Sequence, residues 1–222
     1  MKDILFRDVD ELKGNAKSLR DRKQYDRAIQ KLDEAIELLN SREAHDNNDK
    51  RLSQLADCYG MKGGVYRRSG DLDSAIKMYY AGLQFEEQLG NDSYNLSNWI
   101  ALSIAHGTEP LANLTGRIAE GVDLVSEQVR DRPTTKVRPD RSKQWWAWAD
   151  LAMFNLLLGR IEPAMAAYRK YRDVGARAAD YQTTIDVLEL LRKRLVNTPL
   201  DAAFGGAIGM LREEQQKLQA TG

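Results

Sequence analysis

Tyr59-Gly60-Met61-Lys62-Gly63-Gly64-Val65-Tyr66-Arg67-Arg68-Ser69-Gly70-Asp71-Leu72-Asp73-Ser74-Ala75-Ile76-Lys77-Met78-Tyr79-Tyr80-Ala81-Gly82-Leu83 decides the fold. Tyr59 to Ser69 reads as one helix and Gly70-Asp71 as a short polar turn. Ala75 is then a small residue early in a second, apolar-periodic helix. Two other stretches have the same form. Gln24-Tyr25-Asp26-Arg27-Ala28-Ile29 follows a helical stretch from Leu12 to Arg22. Gly159-Arg160-Ile161-Glu162-Pro163-Ala164-Met165 follows one from Trp145 to Leu158. Small residues let antiparallel helices approach closely, and aromatics fill the space between hairpins. A lone hairpin leaves an apolar face exposed, so such hairpins are expected to stack.

Outward from these units the pattern loosens. Asn95 to His106 reads as a helix ending at Gly107. Thr108 is expected to cap the next helix, with Pro110 in its first turn and Ala112 as the small residue of a divergent unit. The markers Ala28, Ala75, Ala112 and Ala164 are spaced 47, 37 and 52 residues apart. Arg130 to Lys143, with Pro133 and Pro139, reads as a linker. After the Trp-rich unit come a helix near Ala178 to Val196 and a last helix after Pro199. That last helix carries Phe204, Ala207, Ile208, Leu211 and Leu218 on one face. The expectation is an all-α chain of about ten helices. It divides into N-terminal repeats over 1–129, a basic linker loop over 130–143, and a C-terminal repeat with capping helices over 144–222.

This pattern resembles the tetratricopeptide-repeat (TPR) family. Tyr59, Gly63, Tyr66, Gly70, Ala75, Tyr79, Gly82 and Leu83 stand in its slots in the second unit, and Trp148, Leu151, Ala152, Gly159, Ala164 and Tyr168 in the last. The first unit supplies Leu12, Ala16, Leu19, Ala28, Leu32, Ala35 and Ile36, with no turn glycine. Plain TPR units repeat at roughly 34 residues, so the helices or links here are longer. The resemblance implies a TPR-like helix-turn-helix solenoid. Tyr59 to Leu195 also resembles the TPR-like TRAF-binding region of the apoptosis signal-regulating kinases and related bacterial proteins. That likeness is carried by Gly63-Gly64-Val65-Tyr66, Ala75 to Leu83, Ser93-Tyr94-Asn95-Leu96 and Gln144-Trp145-Trp146-Ala147-Trp148-Ala149. It implies a regulatory scaffold in a signalling or defence assembly.

Composition narrows the function classes. Lys+Arg and Asp+Glu balance at 33 each, against the basic excess usual in a dedicated nucleic-acid binder. Cys58 is the sole cysteine, so no internal disulfide forms and no oxidising compartment is implied. Charges break the Met1 to Asp8 stretch before a signal-peptide core develops, and no apolar run reaches the ~18 residues of a membrane span. The expected location is cytoplasmic. The sequons at Asn91, Asn95 and Asn113 are read as chance.

No cofactor, metal or catalytic set is expected. His45 and His106 are far apart, and Cys58 lacks a second thiol; Cys58 is read as a packing residue and His106 as a carbonyl cap. Gly205-Gly206-Ala207-Ile208-Gly209 follows no strand and is read as close helix packing, not a phosphate loop. Glu86-Glu87 and Glu213-Glu214 are read as solvated faces, because adjacent helical residues point apart.

Binding surfaces are the better candidates. In TPR geometry the first helices line a groove. It would present Asp10, Lys13, Lys17 and Arg20 from the first unit, and Asp57, Gly60, Gly64, Arg67 and Arg68 from the second. That basic half-groove suits another protein or an acidic peptide segment. Gly60 and Gly64 would let its backbone come close. The family's chaperone-binding carboxylate clamp is not reproduced, since Lys17 and Met61 stand where it needs asparagines. Trp148 fits the core slot, which turns Trp146 toward the groove or the C-terminal helices; in the groove it would be an anchor. Arg130, Arg132, Lys136, Arg138, Arg141 and Lys143 against Asp131 and Asp140 form a possible anion-binding loop. The alternatives are a nucleic-acid binder using that loop and the groove, and a ligand-gated sensor. Self-association through the last helix stays open.

Overall fold

The computed structural model describes residues 2–41, 47–90, 93–130 and 141–221. They form α1 (Lys2–Asp21), α2 (Tyr25–Leu39), α3 (Asn48–Ser69), α4 (Leu72–Leu89), α5 (Tyr94–His106), α6 (Leu111–Val129), α7 (Trp145–Leu157), α8 (Ile161–Asp173), α9 (Ala178–Arg194) and α10 (Asp201–Thr221). No strand occurs among the described residues. The chain is all-α and built of helix-turn-helix units, as its periodicity predicts. It divides into two compact units, Met1–Trp99 and Ile100–Gly222.

The repeat is visible in the turns themselves. Gln24 N–H donates to Leu19 O at 2.9 Å, Asp71 N–H to Tyr66 O at 3.0 Å, and Arg160 N–H to Asn155 O at 2.8 Å. One residue earlier, Lys23, Gly70 and Gly159 donate three residues back, at 2.9, 3.3 and 2.9 Å. This paired closure is the Schellman end of a helix, and it needs a left-handed residue at its centre. Gly70 and Gly159 supply it at φ 90 and 70, and Lys23 takes the same conformation at φ 61. The first unit's missing turn glycine is therefore replaced by a lysine in the same geometry. Ala28, Ala75 and Ala164 then donate to Gln24, Asp71 and Arg160 at 3.0, 3.1 and 3.1 Å as the next helix starts. All three alanines are 0% exposed, the small-residue contacts that the sequence predicts.

In the first unit α1 pairs with α2 and α3 with α4, and α2 packs on α3. Phe6, Val9, Ala35, Ile36, Leu39, Leu55 and Cys58 form one buried cluster. Ala16, Ala28, Leu32 and Val65 form another. Tyr79 is fully buried, and its ring lies where a Cβ on Gly63 would come within 2.9 Å. Gly63 is thus the close-approach point between α3 and α4.

In the second unit α7 pairs with α8, α6 packs on α7, and α10 lies against α9 and α8. Phe204, Ala207, Ile208 and Leu211 are all buried, so α10 caps this unit with its apolar stripe; Leu218, farther along, is 41% exposed.

Three local expectations are corrected. Thr108 does not cap α6: its Oγ1 donates to Ser103 O at 3.3 Å, closing α5, while the N-cap is Pro110 in extended backbone at ψ 144. Helical geometry therefore begins at Leu111, one residue beyond the proline. Ala112 is exposed, and α6 buries Leu114, Ile118, Gly121 and Val122, with Gly121 set against the Phe154 ring. Within α10, only Gly205 meets a neighbour, the Arg192 guanidinium; Gly206 and Gly209 have no atom within 4 Å of an added Cβ. Their occurrence is not explained by close packing.

Candidate functional site

Side-chain hydrogen bonds link α1 to α3 in the first unit, and the two helices carry the five cations of the expected groove, Lys13, Lys17, Arg20, Arg67 and Arg68. Lys13 Nζ donates to Gln54 Oε1 at 2.7 Å and to Asp57 Oδ2 at 3.0 Å, with Asp10 Oδ1 at 3.7 Å. Its side chain is only 16% exposed, so two carboxylates neutralise it within the fold. Arg20 grips Asp21 Oδ1 through Nε at 3.0 Å and Nη2 at 2.8 Å, and Arg68 Nη1 reaches the same oxygen at 3.4 Å. Two guanidinium groups from different helices thus share one carboxylate. Arg67 Nη1 donates to the neutral Asn98 Oδ1 at 3.3 Å. Lys17 is exposed, with no acidic partner among the described residues. The positive charge left over sits at Lys17, Arg67 and the Arg20–Arg68 pair.

Gly60 and Gly64 differ from each other. Gly60 is buried, and a Cβ there would fall 2.8 Å from both Asn95 Oδ1 and the Tyr94 ring. It serves contact between α3 and α5 and offers nothing to a ligand. Gly64 is half-buried, with Tyr79 Oη at 3.6 Å from an added Cβ. Tyr94 and Asn98, one helical turn apart on α5, were not among the groove residues read from the sequence. Tyr94 is 40% exposed, and Asn98 Nδ2 donates to Tyr94 O at 2.8 Å while its oxygen holds Arg67.

Glu86 is the larger surprise, because its neighbour Glu87 is exposed as expected while Glu86 is 3% exposed. Its carboxylate accepts from Asn95 N–H at 2.9 and 3.1 Å, from Asn95 Nδ2 at 2.8 Å and from Leu96 N–H at 3.3 Å. A side chain of α4 thereby satisfies the free N–H groups at the start of α5, where the helix dipole also favours an anion. Asn95 Nδ2 reaches on to Ala56 O at 3.1 Å, tying α3 into the same network. The signal was present in the register, since Tyr79, Gly82, Leu83 and Glu86 fall on one helical face.

The tryptophans sort differently from the expectation. Trp148 is half-buried, not a core residue, and its indole N–H donates to Ser142 O at 2.7 Å. The buried neighbours are Ala147 and Ala149. Trp145 packs edge-on against Tyr171 of α8 at 5.9 Å. The Arg141 guanidinium lies 4.7 Å from the ring centre of the half-buried Trp146. Of the basic loop, Arg132, Lys136 and Arg138 lie outside the described residues. Arg130 is paired with Glu127, and Lys143 is exposed.

Cys58 is fully buried, and desolvation pushes its thiol up to about 12 against a smaller opposing pull from Lys13. The neutral thiol is a packing group and no nucleophile. His106 is the last residue of α5, and His45 lies outside the described residues. No cluster of three or more potential metal ligands occurs among the described residues, and no helix there is long and apolar enough to cross a membrane.

Residues 56–88, which run from within α3 to near the end of α4, match the tetratricopeptide repeat family. No curated protein matches the chain. Among solved structures, the TPR2AB-domain:pHSP90-complex of yeast Sti1 is 14% identical. The match covers 94% of this chain and 98% of that one, at a TM-score of 0.22. So low a score establishes no common arrangement. The turn geometry and the matched segment together make this chain TPR-like, with one tetratricopeptide-repeat match at residues 56–88.

Proposed function

We propose that this chain is a non-catalytic scaffold that binds an acidic segment of another protein on the α1–α3 face of its first unit. The observation that carries the reading is the uneven neutralisation of that face. Lys13 is consumed by Asp10 and Asp57, while Lys17 has no acidic partner among the described residues and Arg67 spends an N–H on a neutral amide. Asp10 and Asp57 are already engaged by Lys13, and Asp21 by Arg20 and Arg68, so an approaching carboxylate would be drawn to Lys17 and Arg67. Arg67 would form an ion pair with it, which the neutral Asn98 amide cannot do. Tyr94 beside them adds an amphipathic surface of the kind enriched at interfaces.

The finer part of the proposal is an adaptor role for a signalling or defence effector in the cytoplasm. It is supported by the resemblance of Tyr59 to Leu195 to TRAF-binding regions and by nothing further. The measurement is fluorescence anisotropy with an array of acidic and scrambled-charge peptides, repeated for Lys17→Glu/Arg67→Glu. Selective binding of acidic peptides that the variant abolishes supports the reading. Indifference to peptide charge, or an unchanged variant, defeats it. A polynucleotide in the same assay separates the nucleic-acid alternative, which predicts a steep loss of affinity with salt.

A further inference from the structure

Between α9 and α10 in the second unit lies a cleft of about 550 Å³, lined by none of the α1–α3 residues. Glu189, Arg192, Lys193 and Val196 line one wall. Asp201, Ile208 and Arg212, on one face of α10, line the other. Two ion pairs cross it. Arg192 Nε meets Asp201 Oδ1 at 2.7 Å, and Arg212 meets Glu189. Each pair cancels one cation and one anion, which leaves Lys193 with no acidic partner among the described residues. Gly205, lacking a side chain, lets the Arg192 guanidinium lie against α10, 3.1 Å from where a Cβ would be. The floor is apolar, with Ile208 at 3% exposure and Val196 at the rim at 54%.

The occupant follows from size and charge. The volume falls in the range of small-ligand sites, roughly 300–1,000 Å³. A protein partner is disfavoured, because Phe204, Ala207 and Leu211 are already buried by the unit's own helices. The apolar area that the cleft itself offers, at Ile208 and Val196, is far short of the ~800 Å² per partner of a stable interface. One uncompensated cation beside an apolar floor suits a single carboxylate on a hydrocarbon body. An amine would be repelled by Lys193, and a neutral alcohol would gain only apolar burial. We infer that the α9–α10 cleft binds a small amphipathic monocarboxylate, with its anionic group on Lys193 and its apolar body on Ile208 and Val196.

The test is an amide-shift titration of the full chain with decanoate below its micelle concentration, against decan-1-ol and decylamine. Decanoate is expected to give saturable shifts at Lys193, Val196 and Gly205. The alcohol should bind more weakly and the amine not at all. Lys193→Glu should weaken decanoate about tenfold or more, the worth of one lost charge-assisted contact with an added repulsion. Val196→Trp, which fills the cleft from its exposed rim, should abolish the shifts. Lys193 is exposed, so Lys193→Glu keeps the fold and carries the test alone should Val196→Trp fail to fold. The inference is overturned if wild type shows no saturable shifts there, if Lys193→Glu binds equally well, or if decylamine binds as tightly as decanoate. Since the cleft lies in the other unit, none of these results depends on the acidic-peptide reading.

Discussion

The Glu86 carboxylate on α4 accepts both the backbone and the side-chain N–H of Asn95, at 2.9 and 2.8 Å, and so fixes where α5 begins. Glu86→Ala is expected to cost on the order of 3 kcal/mol. It strands the N–H groups of Asn95 and Leu96 in a buried place, and each lost partner costs about 1–3 kcal/mol. Glu86→Gln should cost less, because one acceptor oxygen remains. Urea unfolding followed by circular dichroism measures both; a Glu86→Ala variant within 0.5 kcal/mol of wild type would show that the network contributes nothing.

Gly82 lies directly beneath that network. A Cβ there would come within 2.6 Å of the Asn95 amide, and Asn95 is tied to Glu86 and Ala56 and has little freedom to retreat. Gly82→Ala should therefore destabilise by about 1–3 kcal/mol, the usual range for overpacking. In a double-mutant cycle with Asn95→Ala the two costs should be sub-additive, since removing the amide clears the clash. Strict additivity would place the strain elsewhere.

These residues also mark what the sequence could and could not reveal. The turns at Gly70 and Gly159, and the buried Ala75, Ala164, Tyr79 and Tyr168, follow from local spacing, because helical period reports which face is inside. Glu86 was misread as solvated because burial of a charge depends on a partner across a connection, and pairwise adjacency to Glu87 hid its place on the Tyr79–Leu83 stripe. Lys13 was assigned to a ligand for the same reason: its partner Asp57 is 44 residues away. Ala112 failed because a lone alanine after a proline carries too little information to set a register, and it proves exposed. Arg67, Arg68 and Lys17 were legible as surface cations, but their division into paired and unpaired was not.

Lys23 offers a test of the repeat geometry. It holds the left-handed turn position that Gly70 and Gly159 occupy in the other hairpins, at φ 61. A side chain in that region costs about 1–2 kcal/mol, partly offset by the greater freedom of glycine when unfolded. Lys23→Gly should stabilise by about 0.5–1 kcal/mol in thermal unfolding, and Gly70→Ala should destabilise by about 1 kcal/mol. Opposite signs would mean that the three turns are not equivalent.

Cys58 predicts a pH dependence. Burial favours the neutral thiol, moving it from an ordinary value near 9.0 to about 12. The folded state therefore holds its proton where the unfolded chain has lost it. The stabilisation is complete below pH 9 and is lost as pH rises from 9 toward 12. Native protein should resist a thiol-specific alkylating reagent at pH 8.5 and react once unfolded in urea. Cys58→Ala should flatten the decline in stability between pH 9 and 10. Above pH 10 the buried Tyr79 and Tyr168 phenols, which burial pushes upward too, extend the decline in both proteins. Fast labelling of the folded chain would contradict the burial.

Docking of an acidic protein segment on the α1–α3 face, as proposed, is open to a direct test. The most direct measurement is quantitative affinity purification from native, nuclease-treated lysate, with wild type beside Lys17→Glu/Arg67→Glu and a charge-reversal control in the second unit, Lys170→Glu at an exposed site. A stoichiometric protein partner that survives moderate salt, persists with the control and disappears with the double variant is the predicted result. A partner retained equally by the double variant, or none with wild type, would contradict the account.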